Sequence, residues 1–164
     1  MDTLEAISKR ASVREYDSKP VDKGVLEKLV DAGRRAPTAR AVEPWEFVVV
    51  TERDMLTKLG EIASTGTFIK DAASCIAVFS KDTKYYLEDG CAATENILLA
   101  AADLGLGACW VAGDKKPYVG EVAELLGASS DMKLISLISL GWPKAEARQA
   151  KHRGLEEVLH WEKF

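Results

Sequence analysis

The longest helical pattern of the chain, residues 84–104, has a middle that is apolar on nearly all sides. Residues 91–102 of this pattern read CAATENILLAAA and are rich in alanine. A helix with so little polar surface is stable only when other elements enclose it, and its small side chains let neighbouring backbones approach closely. Gly105 and Gly107 follow and end the helix, because glycine reaches positive φ without strain. One layer of helices from a chain of 164 residues can hardly surround this helix, so we expect a partner subunit to cover part of it.

The other patterns alternate between strands and helices along the chain. Short β-branched and apolar runs predict strands at 45–51, 74–80, 108–112 and 134–140. Helices are predicted after Asp2 and after Asp22, over 53–63, and from Pro117 to Gly127. Hydrophobic residues make up 47 % of the chain and charged residues 29 %, which suffices for a packed core. The interleaving predicts one layered α+β or α/β domain over residues 1–164.

The composition argues against several classes of protein. The formal net charge of -4 and the pI near 5.3 do not suit a nucleic-acid-binding face, which would be basic. No apolar run approaches the roughly 18 residues of a membrane helix, and the N-terminus lacks the pattern of a signal peptide. The three cysteines form no Cys-x-x-Cys pair, and the two histidines are not at zinc-ligand spacing. These features predict a cytoplasmic protein with reduced thiols, no metal site and no nucleic-acid or membrane partner.

A short basic stretch follows the first predicted helix. Arg10 and Arg14 flank Ser12. A guanidinium group is always charged and its fork of donors suits phosphate oxygens, while the serine hydroxyl can donate to the same anion. The alternative is a solvated helix end, because arginine also suits the C-terminal end of a helix dipole. The stretch is therefore a candidate anion site whose assignment depends on the rest of the chain.

The sequence contains no recognisable constellation for nucleophilic or metal-assisted catalysis. It lacks GxSxG, HExxH and P-loop motifs, and no dinucleotide-binding GxGxxG follows a predicted strand. The Gly105-Leu106-Gly107 sequence closes a helix rather than opening one. A protein without acid–base groups of its own often takes its difficult chemistry from a cofactor.

Four motifs in one order resemble the nitroreductase family of flavin enzymes, from about residue 4 to the last residue. They are Arg10-x-Ser12-x-Arg14; Ala36-Pro37-Thr38 with Glu43-Pro44-Trp45 before a strand; the alanine-rich helix followed by Gly105-Leu106-Gly107, Trp110 and Gly113; and Lys151-x-Arg153 with the ending His-Trp-Glu-Lys-Phe. The resemblance implies an α+β fold of α/β/α layers, in which helices flank a central, mostly antiparallel sheet. It also implies an intertwined homodimer.

The cofactor that the resemblance implies is FMN, bound at the interface of the homodimer. Its phosphate would be met by basic residues from both ends of the chain, and Arg14 would lie near N1 and O2 of the ring, where negative charge develops on reduction. The backbone of residues 111–113 would lie near N5 and O4, and the partner subunit would contribute its 37–41 loop. The implied cofactor-binding residues are Arg10, Ala11, Ser12, Arg14, Pro37, Thr38, Ala39, Ala41, Val111, Ala112, Gly113, Lys151 and Arg153.

Three features qualify this interpretation. Ala41 stands where asparagine is common in the family, which removes a side-chain hydrogen bond to the cofactor, and Glu43 stands where glutamine is common. The short 60–71 segment leaves little room for a lid and favours an open, permissive site. Trp110 and Cys109 lie near the implied ring, and we interpret them as a core residue and an inert buried thiol.

The activity that the resemblance implies is that of an FMN-dependent oxidoreductase without a catalytic side chain of its own. NADH or NADPH would give hydride to the flavin, and a small acceptor such as a nitroaromatic or a quinone would then take the electrons in a ping-pong mechanism. One alternative is a flavin-binding or storage module without physiological turnover. Another is a structural dimer that has lost its cofactor, which the retained Arg10, Arg14, Lys151 and Arg153 argue against.

Overall fold

The structure, a computed structural model, describes residues 1–150 and 153–164. This part of the chain contains five α-helices and four β-strands. Short turns of 3-10 helix lie between them at Ala39–Ala41 and Thr67–Asp71, and a third follows the last strand at Leu155–Glu157. In chain order they are α1 (Thr3–Lys9), α2 (Lys23–Arg34), β1 (Trp45–Val50), α3 (Arg53–Ile62), β2 (Ser74–Lys81), α4 (Tyr86–Asp103), β3 (Gly107–Ala112), α5 (Val119–Leu125) and β4 (Met132–Gly141).

The four strands form one sheet in the order β1-β2-β4-β3, and every neighbouring pair is antiparallel. β2 and β4 lie at the centre and are buried along almost their whole length. The register between them shifts at Val78 and Phe79, where the pairing is irregular. β1 and β3 are the two edges of the sheet. The predicted antiparallel sheet is confirmed.

Helices cover both faces of the sheet and bury separate halves of the core. On one face, α2 and α4 pack through residues such as Leu29 and Ile97. On the other face, α3 and α5 pack through residues such as Leu59 and Val122. Each large aliphatic side chain removed from water in this way contributes about 1.5–3 kcal/mol. The predicted α/β/α layering of an α+β domain is therefore confirmed.

The side of the central helix α4 that faces away from the sheet is less completely covered within its own protomer. Ala93, Ile97 and Ala101 are fully buried against the sheet. Ala92 and Leu99, on the opposite side, are only half-buried. The partner subunit that we expect over this stripe remains a prediction.

The C-terminal segment lies away from the core of its own protomer. The exposed fraction is 70 % for Leu155, 78 % for Trp161 and 104 % for Phe164. The sequence predicts that apolar residues at a terminus bind to another surface, and because these are exposed in the protomer we expect that surface to lie outside it. Among the described residues, no helix is long and apolar enough to cross a membrane.

The element boundaries differ from the sequence prediction by one or two residues at most ends. α4 begins at Tyr86 and α5 at Val119, each later than predicted, because an irregular turn precedes each helix. The Thr67–Asp71 turn follows α3 and lies within the short 60–71 segment. It packs tightly on α3, since a Cβ at Gly60 would lie 2.9 Å from the backbone nitrogen of Lys70.

Candidate functional site

The basic stretch lies along the outer edge of β3. Ser12 forms a parallel bridge with Ala108, and the N–H of Val13 donates to the Ala108 carbonyl at 2.9 Å. The approach is close because Gly107 has no side chain: a Cβ there would lie 2.6 Å from Cγ1 of Val13. The sheet therefore fixes the backbone on which the predicted anion-binding side chains are mounted.

Tyr16 fastens the same stretch to the centre of the sheet. Its ring is buried, and its hydroxyl lies 2.6 Å from the Val13 carbonyl and 2.6 Å from the Ser139 hydroxyl of β4. Burial raises the pKa of Tyr16, so the phenol stays a hydrogen-bond donor at all physiological pH values. Sequence reasoning did not single out this tyrosine, although its place two residues after Arg14 is a signal that could have been used.

Three of the predicted site residues converge beside the thiol of Cys109. Burial raises the pKa of Cys109, whereas the charges of Arg14 and Arg10 and the hydroxyl of Ser12 lower it. Arg14 also holds its guanidinium 5.8 Å from the ring centroid of Phe68. The side chains of Ser12 and Arg14 are exposed. Two cations and a hydroxyl are thus gathered at one open end of β3, where Ala11 adds only its backbone.

Beyond the bridge, the outer edge of β3 presents unpaired backbone groups. In an antiparallel strand the N–H and C=O groups of alternate residues point to the same side, so Trp110 and Ala112 face outward as Ala108 does. The Ala112 carbonyl accepts from the Tyr118 hydroxyl at 2.5 Å. Within residues 1–150 and 153–164, no hydrogen bond engages the N–H of Trp110 or of Ala112. These two donors are about 7 Å apart, which is the repeat of two strand residues.

Val111 and Gly113, the neighbours of Ala112, turn their backbone groups inward. The N–H of Gly113 donates to the Ile135 carbonyl of β4 at 3.0 Å, and Val111 pairs with Leu137 in the ladder. Of the three residues expected beside a ring, Ala112 alone has an N–H without a partner in the part of the chain that the structure describes. Glycine at 113 serves close packing, because a Cβ there would lie 2.9 Å from the Ile135 backbone.

The 37–41 loop forms a separate group at the start of α4. The hydroxyl of Thr38 and the N–H of Ala39 both donate to the carboxylate of Asp89, at 2.9 and 3.0 Å. Arg10, in contrast, lies beside Glu95, with 3.9 Å between Nε and Oε1. Six helical residues separate the two carboxylates, which is about 9 Å along the axis. One protomer therefore does not bring Pro37, Thr38, Ala39 and Ala41 onto the Arg10 cluster, and their contribution to a second protomer remains a prediction.

Of the basic pair Lys151 and Arg153, the structure describes Arg153. Lys151 lies outside the described residues. Arg153 is exposed, and its guanidinium donates to the carbonyl of Glu157. The neighbouring N–H of Gly154 donates to the Glu157 carboxylate at 2.6 Å. The described contacts of Arg153 are therefore local, and its role at a phosphate remains a prediction.

Comparison with known proteins decides the family. The family described as "Putative TM nitroreductase" matches residues 2–164. The chain belongs to the nitroreductase family. This nitroreductase is 35 % identical to an Archaeoglobus fulgidus protein named "Putative NADH dehydrogenase/NAD(P)H nitroreductase", over 98 % of each chain.

Solved structures agree with the assignment to the nitroreductase family. A Parabacteroides distasonis protein of the same name superposes with a TM-score of 0.92 at 33 % identity, over 99 % of this chain and 98 % of the other. A Desulfovibrio desulfuricans nitroreductase, solved in complex with FMN, gives a TM-score of 0.88 at 26 % identity, over 100 % of this chain and 98 % of the other. The predicted family and its fold are confirmed.

The geometry of this nitroreductase suits an elongated ligand with an anionic end and a planar polar end. The Arg10, Ser12 and Arg14 cluster offers charged and neutral donors to a phosphate. The free donors of Trp110 and Ala112 extend the same edge of β3 and suit the acceptor atoms of a flat heterocycle. The charged groups that lower the pKa of Cys109 do not overcome burial, so the thiol remains protonated and suits a structural role.

Proposed function

We propose that this nitroreductase is an FMN-dependent oxidoreductase that takes hydride from NADH or NADPH and reduces a small acceptor such as a nitroaromatic or a quinone. The observation that carries the proposal is the attachment of the Arg10, Ser12 and Arg14 segment to the open edge of β3, through the Ser12–Ala108 bridge and the Val13–Ala108 hydrogen bond. The predicted cofactor is confirmed at the level of the family, because the Desulfovibrio desulfuricans relative was solved with FMN. The donor follows from the NAD(P)H nitroreductase name of the Archaeoglobus fulgidus relative.

At the phosphate end of the site, Arg10 and Ser12 bind the anion. Charge-assisted hydrogen bonds of this kind are about twice as strong as neutral ones. Lys151 and Arg153 would add further positive charge there. The Arg10 guanidinium lies 3.9 Å from the Glu95 carboxylate. This ion pair is long, so the guanidinium can turn toward a stronger anion.

At the ring end, Arg14 and the edge of β3 set orientation and electrostatics. When bound, FMN supplies the hydride and electron chemistry for which the protein has no side chain. Arg14 places a fixed positive charge where negative charge appears on reduction, so it favours the reduced state. Ala112 offers a backbone N–H that is already aligned, and the Tyr118 hydroxyl holds that part of the edge in place. Neither Arg14 nor the Ala112 N–H transfers a proton when it orients the ring and stabilises its charge.

We further propose that the protein functions as a homodimer in which the C-terminal tail of each chain binds the partner subunit. Among the described residues no strand lies beside the outer edge of β1. A groove of about 680 Å³ between β1 and α2 is lined by apolar residues such as Leu26 and Phe47 and by charged residues of α2. The exposed tail residues Trp161 and Phe164 are the complementary surface that the same chain provides. A tail that binds the partner's groove would also bring the Lys151–Arg153 segment of each chain to the interface.

The decisive experiment is a visible absorption spectrum of the purified protein, followed by anaerobic addition of NADH or NADPH. We expect a flavin band that bleaches on reduction and returns when a quinone is added. Arg10→Ala should weaken FMN binding by about 1.5–3 kcal/mol, the range for hydrogen bonds to charged groups. Arg35→Ala is the matched control, since Arg35 is an exposed arginine that pairs with Asp31 at the end of α2.

Each alternative function has its own outcome in this experiment. A protein that binds FMN but is not reduced by either nucleotide would be the flavin-binding or storage module. A protein that binds no FMN at micromolar concentration would be a structural dimer and would overturn the proposal. Equal affinities of the Arg10→Ala and Arg35→Ala variants would remove Arg10 from the phosphate site.

A further inference from the structure

The loop that follows α2 has an unusual backbone. Three of its residues, none of them glycine, adopt positive φ: Arg40 at 57°, Ala41 at 55° and Glu43 at 48°. The left-handed region is sterically unfavourable for residues with a Cβ. Such a conformation persists only when the surrounding structure over-determines it, and it occurs most often where a ligand is held or a switch operates.

A single buried carboxylate holds this loop. Asp89, in the first turn of α4, is only 5 % exposed. One of its oxygens accepts from the Thr38 hydroxyl at 2.9 Å, and the other accepts from the Ala39 N–H at 3.0 Å. Thr38 in turn accepts from the N–H of Glu43 at 3.1 Å. The two ends of the left-handed segment are thereby tied to one side chain.

Fold stability alone does not account for a carboxylate at this place. Among the described residues Asp89 has no ion-pair partner, and a carboxylate buried without one is costly. An asparagine would have one acceptor oxygen and no charge, so it would accept from the Ala39 N–H and present its NH2 group to the Thr38 oxygen, which replaces two charge-assisted hydrogen bonds by neutral ones. The residues that the carboxylate holds in position, Arg40 and Ala41, are exposed and pack on nothing within their own protomer's core.

We propose that Asp89 is a positioning residue of the cofactor site, which keeps the 38–43 loop in the conformation, with Arg40, Ala41 and Glu43 left-handed, that contacts FMN bound in the partner subunit. This inference rests on the proposed function. It assigns the alignment of the loop to a residue that does not itself reach the cofactor. It also explains how Ala41 adopts a φ that glycine or asparagine would reach more easily.

The test compares Asp89→Asn with Glu88→Gln, which makes the same change of charge at an exposed neighbour in the same helical turn. The readouts are the FMN dissociation constant of the apo-protein, its melting temperature, and hydrogen exchange of the Ala39 and Glu43 amides. We expect Asp89→Asn to weaken FMN binding by roughly tenfold or more, the equivalent of one lost charged hydrogen bond. The Ala39 and Glu43 amides should also exchange faster in Asp89→Asn. Glu88→Gln should change neither the FMN dissociation constant nor the exchange of these amides.

A second pair of variants covers the case in which Asp89→Asn fails to fold. Thr38→Val removes the hydroxyl that links Asp89 to Glu43, and Thr38→Ser keeps it. We expect weakened FMN binding for valine only, together with faster hydrogen exchange of the Glu43 amide in the apo-protein, which loss of a direct contact between Thr38 and FMN would not cause. Adding Ala41→Gly to Asp89→Asn should restore part of the affinity, because glycine adopts positive φ without strain.

The outcomes separate this proposal from the proposed function. If wild-type protein binds FMN and the Asp89→Asn and Thr38→Val variants bind it equally well, Asp89 is structural only and the inference is overturned. A lower melting temperature with unchanged FMN affinity leads to the same conclusion. If wild-type protein binds no FMN, the proposed function itself fails.

Discussion

Replacing Gly107 by alanine tests whether β3 positions the anion-binding stretch. The new Cβ would lie 2.6 Å from Cγ1, 2.8 Å from Cβ and 3.0 Å from Cγ2 of Val13. Carbon atoms at optimal separation are about 3.5–4.0 Å apart, so Val13 must move away from the strand. Overpacking of this size costs about 1–3 kcal/mol, and a lost Val13–Ala108 hydrogen bond adds about 0.5–1.5 kcal/mol.

The displacement should also reach the ligand. Val13 lies between Ser12 and Arg14, and a shift of its backbone misaligns both neighbours. Loss of one charged hydrogen bond to the phosphate corresponds to roughly tenfold to hundredfold weaker FMN binding. We therefore expect the variant to lose about 2–4 kcal/mol of unfolding free energy and at least tenfold in FMN affinity.

Urea unfolding of the apo-protein at one fixed subunit concentration measures the first quantity, and fluorescence titration with FMN measures the second. Gly120→Ala is the matched control: a Cβ there has no atom within 4 Å, so stability should stay constant or rise by up to about 1 kcal/mol. Adding Val13→Ala to Gly107→Ala removes both Cγ atoms and should restore part of the stability. A Gly107→Ala variant that keeps both its stability and its FMN affinity would refute the reasoning.

Three further predictions concern the ring end, the sheet anchor and the tail. Arg14→Ala should lower the flavin midpoint potential more than the affinity for oxidised FMN, measured by spectroelectrochemistry and titration; equal losses for oxidised and reduced flavin would assign Arg14 to the phosphate instead. Tyr16→Phe should cost about 0.5–1.5 kcal/mol at neutral pH. Burial raises the pKa of Tyr16 above the ordinary tyrosine value of 10.0, so the folded protein retains the phenol proton at a pH where the unfolded chain loses it. The stability due to Tyr16 is therefore complete below pH 10 and falls above it. Phenylalanine should reduce that alkaline loss in a pH series of urea unfolding curves. Truncation after Gly154 should weaken dimerisation and release FMN together in sedimentation followed at the flavin band, whereas a truncated protein that stays dimeric and yellow would place the interface elsewhere.

The helices and strands could be predicted from local patterns in the sequence. Contacts between residues that are far apart in the chain could not. The apolar runs of β2 and β4 predicted the central strands within two residues at most ends, because burial on both faces leaves a continuous apolar signature. The Arg10-x-Ser12-x-Arg14 spacing predicted a cluster, and the bridge to Ala108 supplies its backbone. The family assignment depended on several such motifs occurring in one order.

Asp89 could not be assigned a role from the sequence. Its two donors lie about 50 residues away in the chain, and local pattern carries no information on such a pair. The left-handed φ of Ala41 was equally hidden, because alanine has no preference for that region. The inward direction of the Gly113 N–H depends on the register of β3 against β4, which the sequence does not specify.

The open edge of β3 has a consequence for the protein without its cofactor. Unpaired N–H groups along an edge strand form a template on which another chain can add a strand, and natural proteins usually protect such edges. In this protein the N–H groups of Trp110 and Ala112 have no hydrogen-bond partner within the described residues, and the Tyr118 hydroxyl engages only the Ala112 carbonyl. Bound FMN would therefore shield the sheet as well as carry electrons. Preparations that lose flavin should aggregate through β3 while their helices and core remain folded.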